Sequence, residues 1–174
     1  EHHHNATTLP TLSQVVYFIR HGQSLANTVW GEGNAKFDPS LRDSPLTEKG
    51  KSQARRLQNV VGGLDVQLII SSPLTRTLQT ACLAFENEST PIIAWPLVTE
   101  FFPELPECHG RNKHELEKDE RLTSLPRFGQ VHLDNVVDEW WGCAGDETRV
   151  ESLLSWLRHC PETRIAVVCH WGFI

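Results

Sequence analysis

Residues 15–24 read Val15-Val16-Tyr17-Phe18-Ile19-Arg20-His21-Gly22-Gln23-Ser24, an apolar run that stops at an arginine, a histidine and a glycine. A buried strand ordinarily ends in turn residues, so Arg-His at its carboxyl end needs a chemical reason. Phosphate chemistry supplies one. Arg20 presents a planar fork of donors to phosphoryl oxygens, His21 a ring nitrogen as nucleophile, and Gly22 a backbone that can pass close by. By itself the tripeptide is a common turn, but two companions add weight. Val66 to Ile70 leads into Ser71-Ser72-Pro73-Leu74-Thr75-Arg76-Thr77, and Ile165 to Val168 leads into Cys169-His170-Trp171-Gly172. Each of the three runs delivers a phosphate ligand at a strand end or one turn into the next helix. In an open parallel α/β sheet, ligands bind beyond the carboxyl ends of the strands. Arg20, His21, Arg76 and His170 are therefore expected to meet in one crevice.

Outward from these runs the chain alternates strand and helix patterns. Leu46, Gly50, Ala54, Leu57 and Val61 recur at intervals of three and four, predicting a helix that opens at Thr47 and ends at Gly62-Gly63. Ser72 and Pro73 are the expected N-cap and first-turn proline of a second helix, with Leu74, Leu78, Ala81, Cys82 and Phe85 on one face. Pro91 to Trp95 reads as a short strand. Val150, Leu153, Leu154 and Leu157 mark a last helix before the strand at Ile165. From Glu100 to about Gly145 the pattern breaks into proline, charge and aromatics. That stretch is long for a connection and is expected to form a functional cap. The fold implied is α/β: a three-layer sandwich with a mostly parallel central sheet, helices on both faces and a small irregular cap. Residues 13–174 are read as one domain with a cap insertion at about 100–145. Residues 1–12, opening Glu1-His2-His3-His4, read as a tag remnant and flexible N-terminus, and the C-terminus as incomplete.

The motifs also carry a resemblance. Arg20-His21-Gly22, Asn27 shortly after, and Ser44-Pro45-Leu46-Thr47-Glu48-Lys49-Gly50 at a helix start are the first part of it. Ser72-Pro73-Leu74-Thr75-Arg76-Thr77 through Thr80-Ala81 and the late His170 with Gly172 complete it. Together they resemble the histidine phosphatase superfamily, the phosphoglycerate-mutase-like fold, from about Val15 to the last residue. The resemblance implies that His21 attacks phosphorus in line to give a phosphohistidine, while Arg20, Arg76 and His170 hold the equatorial oxygens. The helix N-terminus at Pro73 is expected to add backbone donors. His21 has to be neutral at its attacking nitrogen, and neighbouring arginines disfavour its protonation. Its other nitrogen is expected to donate to a backbone carbonyl.

A leaving alkoxide needs a proton, so a carboxylic acid is expected over the site. Glu100 is the first choice, because it follows the strand run Ile92 to Trp95 as the family's acid follows its strand. Leu105-Pro106-Glu107-Cys108-His109-Gly110 resembles a Pro-Cys-Asp segment of some family branches and supports that alignment; Glu104 and Glu107 stay as alternatives. By the same resemblance Asn27, Ser24 and Gln23 are placed at substrate or phosphate. No metal and no cofactor is expected, since the arginines supply positive charge. His109, His114 and His132 match no ligand spacing.

Composition narrows the function further. The chain has 174 residues, a formal charge of −6 and 39% hydrophobic residues, ordinary for one compact domain. An acidic balance argues against a nucleic-acid face. No apolar run approaches the roughly 20 residues that span a bilayer, so no membrane partner is expected. Five unpaired cysteines without a signal peptide favour a reducing compartment, the cytoplasm. A mutase must retain a bisphosphorylated intermediate under a closed cap, and the segment between Arg76 and His170 looks short for that. The expected activity is metal-independent phosphomonoester hydrolysis of a small phosphorylated substrate or a phosphoprotein. Phosphoglycerate mutase-type transfer and a non-catalytic binding module are the alternatives.

Overall fold

The computed structural model describes residues 13–174, so the expected tag remnant at 1–12 lies outside the described residues. Five strands form one all-parallel sheet: β1 (Val15–Arg20), β2 (Leu68–Ser71), β3 (Ile92–Ala94), β4 (Val131–His132) and β5 (Arg164–Cys169), in the order β1-β5-β2-β3-β4. The helices are α1 (Leu25–Thr28), α2 (Glu48–Arg56), α3 (Gln58–Val61), α4 (Thr75–Ala84), α5 (Lys113–Glu117), α6 (Glu120–Thr123) and α7 (Thr148–His159). Connections from β1 to β2 and from β2 to β3 travel the same way across the sheet, whereas β4 to β5 returns. Right-handed crossovers then put α2, α3 and α4 on one face and α7 on the other.

The two apolar layers follow this division. Ile69, Ile92, Ala166 and Val168 pack with Val61, Ala81, Ala84 and Phe85 on one side. Leu68, Ile70, Ile165, Val167 and Cys169 pack with Val98, Leu153 and Leu157 on the other. Alternation along each strand divides its side chains between the two layers. Leu46, Gly50, Ala54 and Val61 are buried as the stripe predicts. Leu154, one of the apolar residues that mark α7 in the sequence, is 46% exposed, because Leu153 and Leu157 already fill the sheet-facing side.

Several local expectations change. The long helix is two pieces, because Leu57 N–H donates to Ala54 O and Val60 N–H to Leu57 O, tightening the turn between α2 and α3. The helix at Ser72 begins later, at Thr75, with Leu74 in the N-cap position and no side-chain bond from it. Its first amide is held from far away in sequence: Asp43 Oδ1 accepts from Thr75 N–H at 2.7 Å, and Oδ2 accepts from the Thr75 hydroxyl at 2.6 Å. All ten residues of α4 are buried, one side on the sheet and the other on the middle segment. That segment is not irregular throughout. It contains α5, α6 and the two-residue strand β4, none long enough to show a period in sequence. Leu116, Leu122, Phe128, Leu133, Val136 and Trp140 from it cover the Leu74–Leu78–Cys82 side of α4. Trp140 is thus a packing residue.

Candidate active site

Register assembles the site. Arg20 pairs with Cys169 across β1 and β5, and His21 N–H donates to Cys169 O at 3.1 Å. Ser71 pairs with Val168, and Ser72 N–H donates to Val168 O at 3.0 Å. The carboxyl ends of β1, β5 and β2 are therefore level, so His21, His170 and Ser72 emerge side by side and Arg76 follows one turn into α4. Cys169 faces the α7 layer while His170 lies against the His21 ring, which separates the two neighbours as strand alternation requires.

The loop carrying His21 is fixed by backbone contacts. Gly22 N–H donates to Thr80 Oγ1 at 3.1 Å, and that hydroxyl donates to Arg76 O at 2.7 Å. A Cβ on Gly22 would lie 2.4 Å from Gly50 O, and one on Gly50 would lie 2.1 Å from Gln23 O. The two glycines thus let the start of α2 abut the His21 loop. Gly22 is needed here for that approach between two backbones.

His21 Nδ1 lies 2.7 Å from Gly22 O. A carbonyl only accepts, so Nδ1 carries the hydrogen and Nε2 the lone pair. Arg76 Nε–H donates to that Nε2 at 3.3 Å, which fixes the same tautomer from the other end. Burial first, then Arg76 and Arg20, lowers the His21 pKa to about 3 against the opposing pull of the Gly22 carbonyl. The ring is neutral at any ordinary pH. His170 is wholly buried, its ring centroid 5.2 Å from that of His21 in an edge-on arrangement. Neither of its ring nitrogens has a hydrogen-bond partner among the described residues. Burial, followed by Arg76 and His21, holds its pKa well below the usual value.

A cavity of about 780 Å³ opens over His21. Of the expected residues, Arg20, His21, Gln23, Asn27, Arg76 and Glu100 line it. His170, beside His21, is not among the lining residues. Ser24, expected at phosphate, is instead fully buried and bonded within its own turn. Its Oγ accepts from Asn27 N–H at 3.2 Å while Asn27 Oδ1 accepts from Ser24 N–H at 3.0 Å. This is a capping box for α1. Of the expected donors at the N-terminus of the next helix, the Thr75 amide is likewise occupied, since Asp43 already holds it. Glu104 is exposed and off the cavity, whereas Glu107 is on its wall.

The two remaining carboxylates are held differently. Glu100 Oε1 accepts from Phe101 N–H at 3.0 Å, and Oε2 lies 3.4 Å from Gly172 N–H. A Cβ on Gly172 would lie 2.4 Å from Glu100 Oε1, so a side chain there would displace the carboxylate. Glu107 Oε1 accepts from Trp30 Nε1–H at 3.0 Å, and Oε2 lies 3.9 Å from Arg76 Nη1. Arg76 Nη1 also donates to Glu107 O at 2.6 Å. Sequence reasoning does not find Trp30, Gln53, Leu57 or Trp171, which also line the wall. Trp30 reaches a glutamate 77 positions away, and no local pattern announces that.

Among the described residues no helix is long and apolar enough to cross a membrane. All five cysteines are free; Cys160 is half-buried, and its thiol donates to Glu162 Oε2. Burial pushes the Cys82, Cys108 and Cys169 thiols up to about 12, which leaves them unreactive.

Known proteins resemble this chain in sequence and in fold. "Phosphoglycerate mutase-like protein 1" of Arabidopsis thaliana is 41% identical over 201 residues, covering 92% of this chain and 69% of that protein. The 2,3-bisphosphoglycerate-dependent phosphoglycerate mutase of Chlamydia muridarum is 30% identical over 101 residues, 58% of this chain and 42% of that one. The chain thus spans under half of the bacterial mutase. Among solved structures, the phosphoserine phosphatase of Entamoeba histolytica in complex with 3-phosphoglyceric acid superposes with a TM-score of 0.53 at 23% identity. That match covers 91% of this chain and 74% of the other, and it is a likeness of fold. Residues 16–174 match the histidine phosphatase superfamily, branch 1. With the family matched along nearly its whole described length, the chain belongs to the histidine phosphatase superfamily, branch 1.

Proposed function

We propose that this domain hydrolyses phosphomonoesters through a phosphohistidine on His21, without a metal. The observation that carries the reading is the His21 imidazole: neutral, its lone pair on Nε2, locked through Nδ1 and faced by the Arg76 guanidinium. An incoming phosphoryl group takes over the Arg76 donors and frees the lone pair. Nε2 attacks phosphorus, the bond from phosphorus to the leaving oxygen breaks, and Glu100 gives that oxygen its proton. Glu100, now a carboxylate, takes a proton from water. The resulting hydroxide attacks phosphorus, the N–P bond breaks, and phosphate and neutral His21 are restored. Arg20, Arg76 and His170 bind the phosphoryl oxygens throughout. His170 is outside the cavity lining, but its buried ring nitrogens have no hydrogen-bond partner among the described residues, a situation that ordinarily costs about 1–3 kcal/mol per group unless a ligand pairs them, and this supports its role. Gln23 and Asn27 stand at the wall where substrate would lie. Free, buried thiols accord with a cytoplasmic setting.

A mutase-type transfer is the second reading, favoured by the relatives' activity. Steady-state hydrolysis of an aryl and an alkyl phosphate with EDTA present separates the cases. Wild-type activity should survive EDTA and fall to background in His21→Ala. Glu100→Ala should lose about 10²–10⁴-fold on the alkyl ester and far less on the aryl one, whose leaving group needs no proton. Activity that EDTA abolishes, or that survives His21→Ala, would remove the proposal. Phosphoryl transfer between phosphoglycerates outpacing hydrolysis would establish the mutase. Equal losses on both esters would move the acid role to Glu107.

A further inference from the structure

We propose that Glu107 sets the substrate class of the cavity, selecting a phosphomonoester whose alcohol part is apolar, carries a hydroxyl or amine donor, and has no second acidic group. The inference rests on the reading that the His21 end of the cavity receives a phosphoryl group. Its basis is a charge balance. The cavity wall holds two cationic side chains, Arg20 and Arg76, and two carboxylates, Glu100 and Glu107, with no lysine and no third arginine among the described residues. His21 adds no charge. A phosphoryl dianion seated on the arginines therefore leaves the cavity with an excess of negative charge even while Glu100 is protonated as the acid.

Glu107 is where a second anion would feel that excess. Its side chain is 7% exposed, its Oε2 is 3.9 Å from Arg76 Nη1, and its Oε1 is tied to the Trp30 indole. It cannot swing out to water without giving up both partners. Two negative charges a few ångström apart in a buried wall repel, so a substrate carboxylate or second phosphate beside Glu107 is rejected. An ammonium or hydroxyl at the same place gains a charge-assisted hydrogen bond. The rest of the wall, from Trp30, Leu57, Phe102 and Trp171, offers apolar and ring surface to the remainder of the alcohol. A sugar bisphosphate or a phosphorylated acid suits this wall poorly.

Binding of non-hydrolysable phosphonates tests the inference without depending on turnover. Propylphosphonate, 3-aminopropylphosphonate and 3-phosphonopropionate, which share one short chain and differ in its terminal charge, would be titrated calorimetrically at fixed ionic strength. Wild type should bind the ammonium compound tightest and the carboxylate weakest, with about tenfold or more between them. Glu107→Gln keeps an oxygen for Trp30 while removing the charge, and should shrink that spread to about threefold or less. If wild type binds 3-phosphonopropionate as tightly as propylphosphonate, binds none of the three, or keeps its ranking in Glu107→Gln, the inference is wrong. The wild-type ranking alone decides even where the variant folds poorly. If the ranking holds while aryl phosphate is not hydrolysed, the catalytic reading falls and the recognition stands; hydrolysis without the ranking gives the reverse.

Discussion

A neutral histidine packed against arginines leaves a thermodynamic signature. In the unfolded chain His21 takes a proton near pH 6.5, whereas in the folded protein it resists until about pH 3. Between those values the unfolded state binds more protons, so acidification favours unfolding. The contribution is neutral above about pH 6.5 and grows more destabilising as the pH falls toward 3, at up to about 1.4 kcal/mol per unit for one group. His170 acts in the same direction. Urea denaturation at pH 7, 6 and 5 should show wild type losing stability more steeply than His21→Gln. Parallel slopes would mean that His21 titrates like a free imidazole. The single residues also show what sequence can convey. Arg20, His21, Arg76 and His170 are legible because each follows an apolar run whose end is recognisable. Ser24 reads as a phosphate ligand although the Ser-x-x-Asn spacing of a capping box is in plain view. Glu107 reads only as an alternative acid, because its meaning comes from Trp30 and Arg76, neither of them near in sequence.

At the scale of elements, two glycines that look alike in sequence differ in what surrounds them. Gly50 sits in α2 with no room for a Cβ, because Gln23 O would lie 2.1 Å away. Gly62, after α3, has helical φ −60° and ordinary van der Waals space, its nearest atoms 3.5 Å from a Cβ. Gly50→Ala should therefore force the His21 loop away from α2, destabilising by about 2 kcal/mol or more and lowering kcat/KM. Gly62→Ala should be neutral or stabilise by about 0.4–1 kcal/mol through the unfolded chain. Thermal melts and aryl phosphate turnover on both variants check the pair; equal effects would show that the close approach at Gly50 relaxes freely. Legibility of the elements follows their length. The strands and the long helices carry enough residues to show a period, and their ends lie within about two positions of those the pattern predicts. β4, α5 and α6 span two, five and four residues, too few for a pattern. The true cap of α4 is Asp43, 32 positions before Thr75, and Arg111 Nε donates to the same carboxylate at 2.7 Å. Such capping is a product of the fold and cannot be read from neighbours in the chain.

At the scale of the molecule, the site depends on three distant segments meeting on one side chain. Arg149, at the start of α7, donates through Nη1 to Leu97 O at 2.8 Å and through Nη2 to Glu100 O at 3.2 Å. Its guanidinium lies 3.9 Å from the Phe101 ring centroid, and Phe101 stacks on Phe173 just beyond His170. One arginine thus ties α7, the loop carrying Glu100 and the segment after β5 into a single wall. Through Nη2 it holds the Glu100 backbone, and through that the carboxylate. Removing the fork should loosen the acid while leaving His21 and Arg76 in place. Arg149→Leu should therefore lower kcat on an alkyl phosphate by about 10-fold or more, while an aryl phosphate, which leaves without a proton, loses little. Arg149→Lys, with a single ammonium on a flexible stem, should recover only part of the loss, because it cannot reach two carbonyls and stack on Phe101 together. A general destabilisation would instead depress both esters equally and in proportion to the fraction unfolded. Measuring the alkyl-to-aryl ratio at a temperature where both variants are fully folded separates the two; an unchanged ratio would return Arg149 to a purely structural role.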